Sequence, residues 1–167
     1  MKTVEEFIAE NIELFDDITP ATIEHLYFEA RQYSELGERT HELTEALLGS
    51  GENPLKYLKI VPKWYQANSR ILTEQIIPDG VEEIENEAFS KCFNLCKVDI
   101  GSTVKKIHRR AFMSCYMLDD VYIRGRDTVI DPSTFQYCDD VIIHCHKDNM
   151  QVQALAHVYN FAIKLID

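Results

Sequence analysis

The chain has 167 residues, 46% of them hydrophobic, which is the composition of a globular protein with one or two small domains. Its formal net charge is −11, yet residues 1–50 hold three basic and twelve acidic residues, whereas residues 91–126 hold eight basic and three acidic ones. No run of 18 apolar residues occurs, so neither a membrane-spanning helix nor a membrane partner is expected.

The segment 1–66 shows no repeat and is predicted to be helical. Thr3 and Glu6 fit a capping box at the start of an apolar stripe with helical spacing. Thr19 followed by Pro20 predicts a second helix start, and a third helix is expected to end at the glycines near residue 50. A short fourth helix is expected to begin at Asn53.

A repeat with a 23-residue period follows. The same residue types recur at this step in three rows, Ile84, Ile107 and Ile130, Phe89, Phe112 and Phe135, and Cys92, Cys115 and Cys138. A fixed period of this length indicates stacked supersecondary units that share one core. Residues 98–100 and 121–123 alternate apolar and polar side chains, as strands with one buried face do. The sequence therefore predicts about three coils, each with a strand, a turn and a short extended or 3₁₀ piece, and the third coil is degenerate.

The repeat resembles the BspA-like family of leucine-rich repeats, whose coils carry I-P-x-x-V-x-x-I-x-x-x-A-F-x-x-C-x-x-L. Residues 77–95 match this pattern nearly throughout, residues 100–118 match except that Gly101 replaces proline, and residues 123–138 match loosely. The family commonly ends with a short strand, a turn and an amphipathic helix, and residues 141–143, 149–156 and 161–166 look like that ending. The resemblance covers about residues 72–167. It implies a solenoid fold and a binding role without implying a particular ligand.

The expected fold is α+β, with residues 1–66 as a helical domain or cap and residues 67–167 as a short leucine-rich-repeat solenoid with a strand–helix–strand cap. A solenoid needs its end coils covered, so one interpretation is that residues 1–66 are a cap. The alternative is that residues 1–66 are an independent interaction domain whose acidic face, including Glu10, Glu13, Asp16 and Asp17, meets a partner.

Five cysteines occur, an odd number. Three follow the repeat, so they are expected to form a buried row of small side chains, while Cys96 and Cys145 stand outside it. The N-terminus is charged and lacks the apolar stretch of a signal peptide. Reduced thiols in the cytoplasm are therefore predicted.

The residue types that bind zinc occur together at Cys138, His144, Cys145 and His146. His144 and His146 would share one face of a strand while Cys145 points to the other, and no CxxC pair exists, so no metal site is predicted. Catalytic motifs such as GxSxG, HExxH and a phosphate-binding glycine loop are absent from the sequence. We therefore expect no enzyme activity, no catalytic residue and no cofactor.

The densest basic patch consists of Lys105, Lys106, Arg109 and Arg110. Such a patch suits phosphate groups. However, the counterparts of the two lysines one coil earlier are Glu82 and Glu83, so the charge inverts between coils instead of repeating. Nucleic acid is therefore disfavoured, and an acidic protein partner is favoured.

The outward residues of the strands are the predicted partner-binding surface. They are Lys97, Asp99, Asp120, Tyr122, Arg124, Ile142 and His144. Mixed faces with aromatic and arginine anchors are typical of protein interfaces, although such residues are also ordinary on a solvated sheet. The predicted function is a non-catalytic protein-interaction module. The alternative is a small structural, assembly or phage-accessory protein, from bacteria or phage, that acts by homo-oligomerisation or by inhibiting a host protein.

Overall fold

The computed structural model describes residues 51, 53–63 and 65–167. The three helices predicted within residues 1–50 lie outside the described residues. The expected fourth helix is a single 3₁₀ turn, Pro54–Tyr57, in which the Asn53 side chain accepts a hydrogen bond from the Leu55 N–H at 3.1 Å. Lys59–Asp167 then forms one compact unit.

This unit consists of short parallel strands and one α-helix. The strands are β1 (Ile60–Val61), β2 (Glu74–Ile77), β3 (Glu83–Ile84), β4 (Lys97–Ile100), β5 (Lys106–Ile107), β6 (Asp120–Ile123), β7 (Val129–Ile130), β8 (Ile142–His146) and β9 (Ala162–Ile166). The helix is α1 (Met150–Val158). No helix in the described part of the chain is long and apolar enough to span a bilayer.

The strands build a β-solenoid with two parallel sheets. The short sheet has the order β1-β3-β5-β7, and the long sheet has the order β2-β4-β6-β8-β9. Each turn of the chain adds one strand to each sheet, and in the last turn α1 stands in place of the short strand. The register keeps the repeat step, because Ile84 pairs with Ile107 and Val98 pairs with Val121.

The solenoid has about five turns, so the prediction of three coils is wrong in number. A first turn precedes the three repeats, since Val61 of β1 pairs with Ile84 of β3, and a last turn of α1 and β9 follows them. Left-handed backbone recurs at the repeat step in every turn, at Asn68, Lys91, Ser114, Tyr137 and Asn160. The first turn lacks the repeat signature, because it has Val61 and Ser69 at the positions that Ile84 and Cys92 hold one turn later.

The predicted phenylalanine column is confirmed. Phe89 stacks on Phe112 with ring centroids 5.3 Å apart, and Phe112 stacks on Phe135 at 5.9 Å. Tyr65 of the first turn meets Phe89 edge to face at 5.7 Å, and Phe161 of the last turn meets Phe135 in the same way at 5.8 Å. The aromatic column therefore runs through all five turns.

The repeat cysteines form a second column beside the rings. Cys92, Cys115 and Cys138 each donate a hydrogen bond through Sγ to a carbonyl oxygen of the preceding turn, at 3.0 to 3.2 Å. All five cysteines are free thiols. The pKa of Cys115 is raised because it shares hydrogen bonds with the thiols of Cys138 and Cys92 and is buried. Burial alone raises the pKa of the Cys145 thiol.

The substitution of glycine for proline at position 101 has a steric reason. A Cβ at Gly101 would lie 2.8 Å from Asp79 Oδ1 and 2.9 Å from the Ile77 carbonyl oxygen. The same Asp79 oxygen accepts hydrogen bonds from the Ser102 N–H at 2.7 Å and from the Ser102 hydroxyl at 3.0 Å. The two successive turns are thus joined by a contact that only glycine leaves room for.

The predicted strand–helix–strand ending is present. Asn149, 1% exposed, caps α1 by accepting a hydrogen bond from the Val152 N–H, while its amide group donates to the carbonyls of Gly125 and Thr128. β9 is the edge of the long sheet, and Ile163 and Leu165, in register with buried positions of β8, are 39% and 58% exposed. The last turn is therefore tied to the solenoid through Asn149 and through the pairing of β9 with β8, while Ile163 and Leu165 remain open to solvent.

Candidate functional site

The predicted partner-binding residues lie together on the outward side of the long sheet. Lys97, Asp120 and Ile142 occupy one row across β4, β6 and β8, and Asp99, Tyr122 and His144 occupy the next row. Arg124 follows β6 directly. We call these seven residues the outer face. Their neighbours in each strand, such as Val98 and Val121, are fully buried, so the apolar–polar alternation of the sequence separates core from surface.

Tyr122 is the centre of the outer face. Its ring stacks on the imidazole of His144, with centroids 4.1 Å apart and planes 11° from parallel. The Lys97 ammonium lies 5.6 Å from the ring centroid, and the Arg124 guanidinium lies 5.8 Å from it. Cations at this distance are attracted to the ring, which restricts its motion. The result is an ordered aromatic platform on the surface.

Arg124 is held by two hydrogen bonds to Asp99. Its Nε donates to Oδ1 at 2.6 Å and its Nη2 donates to Oδ2 at 2.7 Å. Paired donors of this kind fix the orientation of the guanidinium. The same hydrogen bonds to Asp99 raise the pKa of Arg124. Arg124 is thus oriented beside Tyr122 before any partner arrives.

His144 is largely covered although it lies on the outward side. It is 7% exposed, with Tyr122 on one side and Lys164 of β9 in register on the other. Its Nε2 lies 2.5 Å from Oδ1 of Asp120. A buried polar ring keeps its place when it has such a partner. His144 therefore packs against the side of Tyr122 and presents little surface of its own.

The four candidate zinc ligands point in different directions. His144 pairs with Asp120, and His146 accepts a hydrogen bond from the Asp148 N–H at 3.1 Å. Cys145 is buried on the core side, and Cys138 donates to the Phe112 carbonyl. Across the residues that the structure describes, no group of three or more potential metal ligands converges.

The four residues of the predicted basic patch have different neighbours and do not form one cluster of free charges. Lys105 forms an ion pair with Glu82 at 2.6 Å, which lowers the pKa of Glu82, while Lys106 stands in register with Glu83. Arg110 donates to the side chain of Gln136 at 3.1 Å, and Arg109 is exposed. Like charges stacked in adjacent turns would repel each other. The charge inversion between coils is therefore an ion-pair arrangement within the solenoid.

Sequence reasoning overlooked two features of this surface. One is the pairing of Asp99 with Arg124, which are 25 residues apart and come together only through the register. The other is Arg126, which lies with Arg124 and Lys105 along one groove. The repeat step places Asp99 next to Tyr122, and the register confirms it, but the ion pair that Arg124 forms with Asp99 of the preceding turn has no signature in the sequence.

Comparison with known proteins identifies the repeat. A family model described as a BspA type leucine-rich repeat region, present in six copies, matches residues 58–160. No curated protein and no solved structure matches the chain. The matched range begins before the first strand of the short sheet and ends before β9, so it includes the first turn, in which the repeat signature is weak.

Proposed function

The chain belongs to the BspA-type leucine-rich repeat family, and from this premise we propose that it is a non-catalytic module that binds a partner protein through its outer face. Solenoids of stacked repeats offer extended surfaces for binding. In this chain the repeated positions hold core residues and residues that form ion pairs between turns. The outward residues of the long sheet do not repeat, so their side chains differ from one turn to the next.

The observation that carries the proposal is the fixed environment of Tyr122. Aromatic and arginine side chains supply much of the binding energy at protein interfaces when they are already ordered. Here the tyrosine ring rests on His144, and Arg124 is held by Asp99. Ile76, 61% exposed in the same row, adds an aliphatic neighbour at the edge.

The test uses a Tyr122→Ala and Arg124→Ala double variant. We expect it to weaken binding to a partner isolated from native extract by about 2 kcal/mol or more, because it removes both anchors. Isothermal titration calorimetry measures the affinity. Tyr116→Ala is the matched control, since Tyr116 is 56% exposed and stacks on Phe93 away from the outer face. Equal affinity of the double variant and the wild type, with both folded, would contradict the proposal.

We also propose that the protein acts in a reducing, cytoplasmic environment. The support is that Cys92, Cys115 and Cys138 act as hydrogen-bond donors to carbonyl groups, which requires protonated thiols. Thiol titration of the denatured protein, purified without reductant, should find all five thiols. A count of three would reveal a disulfide and overturn this part of the proposal.

A further inference from the structure

An exposed aromatic pair lies where successive turns leave the cysteine column and enter the long sheet. Phe93 of the second turn stacks on Tyr116 of the third, with ring centroids 5.6 Å apart and planes 2° from parallel. Tyr116 is 56% exposed, and Met117 beside it is 57% exposed. We call these three residues the aromatic edge. Because exposed apolar groups that adjoin one another mark contact sites more often than scattered ones do, this edge is a candidate docking surface.

The stack ends at Tyr116 because the fourth turn is shorter at this edge. The cysteine column keeps the repeat step, but Ile142 pairs with Asp120, one residue short of that step. The fourth turn crosses this stretch with two exposed aspartates, Asp139 and Asp140, which carry no ring. Among the residues that the structure describes, Phe93 alone stacks on Tyr116. The second face of the tyrosine ring is therefore open towards the fourth turn.

Three exposed carboxylates border the open end of the aromatic edge. Within the described chain, none of them forms an ion pair or a side-chain hydrogen bond. They are Asp119, Asp139 and Asp140. Residues 113–119 and 137–142 contain no lysine or arginine. Along the described turns, basic residues occur at this edge only in the first two, as Arg70 and Lys91. The charge of the third and fourth turns is therefore negative here, and a cation is attracted to it.

An open tyrosine face beside unpaired carboxylates suits an arginine side chain. A planar guanidinium stacks on an aromatic ring and is attracted to its face. The N–H groups of its fork match the oxygen atoms of carboxylates. Its methylene groups cover apolar surface, which Met117 supplies next to the ring. A lysine brings the same charge without the planar fork, so it meets only part of this arrangement.

We propose that the aromatic edge binds an arginine side chain in a basic segment of another protein. The guanidinium lies on the open face of Tyr116, its N–H groups bind Asp139 and Asp140, and its methylene groups cover Met117. The inference goes beyond the proposed function and does not depend on it, because none of these residues belongs to the outer face. The chain then has two binding surfaces of different chemistry.

The probe is a fluorescein-labelled peptide of alternating arginine and glycine, titrated into the full chain and followed by fluorescence anisotropy. The salt concentration is about 0.15 M, which screens long-range attraction to an acidic chain. We expect saturable binding. A lysine–glycine peptide of equal length and charge should bind more weakly, because an ammonium group does not stack on the ring as a guanidinium does.

Substitutions at the aromatic edge separate the ring from the charge. Tyr116→Leu should weaken binding of the arginine peptide about threefold, whereas Tyr116→Phe should preserve it. Asp139→Asn should also weaken it about threefold. Asp127→Asn is the matched control, because Asp127 is an exposed carboxylate in the turn that follows β6 and lies outside the aromatic edge. The control should leave the affinity unchanged.

Several results would overturn the proposal. Absence of saturable binding would do so, as would wild-type affinity in Tyr116→Leu, which would mean that the ring is not used. Equal loss in Asp139→Asn and Asp127→Asn would indicate a diffuse effect of net charge. The Tyr122→Ala and Arg124→Ala double variant should bind the arginine peptide as the wild type does. Loss of the peptide in that variant would place it on the outer face and contradict a separate site.

Discussion

At the scale of single residues, the core is a set of columns in which each side chain is supported by the same kind of side chain in the next turn. Phe112 is the middle ring of its column and has a stacked neighbour on either side, whereas Tyr65 and Phe161 close the ends edge to face. Because interiors are packed as closely as organic crystals, a gap in the middle of such a column cannot be filled by small shifts of its neighbours.

Phe112→Ala should therefore lower the free energy of unfolding by about 3–5 kcal/mol. The ring is fully buried, and its removal leaves a cavity between two faces that no longer touch. Urea unfolding followed by circular dichroism gives the value. Tyr116→Ala, an exposed aromatic in the same turn, should cost less than about 1 kcal/mol. A loss of similar size in the two variants would mean that the phenylalanines do not form a continuous column.

Much of the arrangement of individual core residues could be predicted from the sequence. The isoleucine, phenylalanine and cysteine rows were readable because a fixed step repeats one residue type at one core position. The pairing of Arg124 with Asp99 was not, because it depends on the direction of a side chain within its row. Nor was the coverage of His144, which results from the rings and chains on both sides of it.

At the scale of elements, the last turn is held by a buried amide as well as by the pairing of β9 with β8. Asn149 links α1 to the turn before β7, through the carbonyls of Gly125 and Thr128, and also caps the helix. The sequence predicted a helix over residues 149–156 from its resemblance to the family's common ending, but it did not single out Asn149 as the N-cap of α1. It could not show that the same side chain holds the preceding turn, because the two carbonyl acceptors belong to a distant part of the chain.

Replacing Asn149 separates these two roles. Asn149→Ala removes the cap and leaves two buried carbonyls without a donor, so it should cost about 2–3 kcal/mol. Asn149→Asp keeps an acceptor for the Val152 N–H but cannot donate to the carbonyls, so it should restore little of the loss. Thermal unfolding monitors both variants, with the exposed Gln151→Ala as the control. Wild-type stability in Asn149→Asp would show that only the cap matters.

At the scale of the whole molecule, the repeat sets the fold and the departures from the repeat set the surface. The repeat step indicated a solenoid but not its length, because the first turn keeps the backbone course while changing the side chains that define the pattern, and the last turn replaces a strand with a helix. The outward rows change chemistry from turn to turn. One row runs Ile76, Asp99, Tyr122, His144 and Lys164. Side chains that differ from turn to turn on a constant backbone suit a surface that binds a partner.

The central claim, that the partner is bound on the outer face, is tested most directly by lysine footprinting of the complex. Lys97 and Lys164 lie in outward rows of the long sheet, whereas Lys91 and Lys106 are exposed elsewhere on the solenoid. An amine-acylating reagent should modify all four in the free protein. On binding, mass spectrometry should show Lys97 and Lys164 protected while Lys91 and Lys106 react as before. Unchanged reactivity of Lys97, with protection confined to other lysines, would contradict the account.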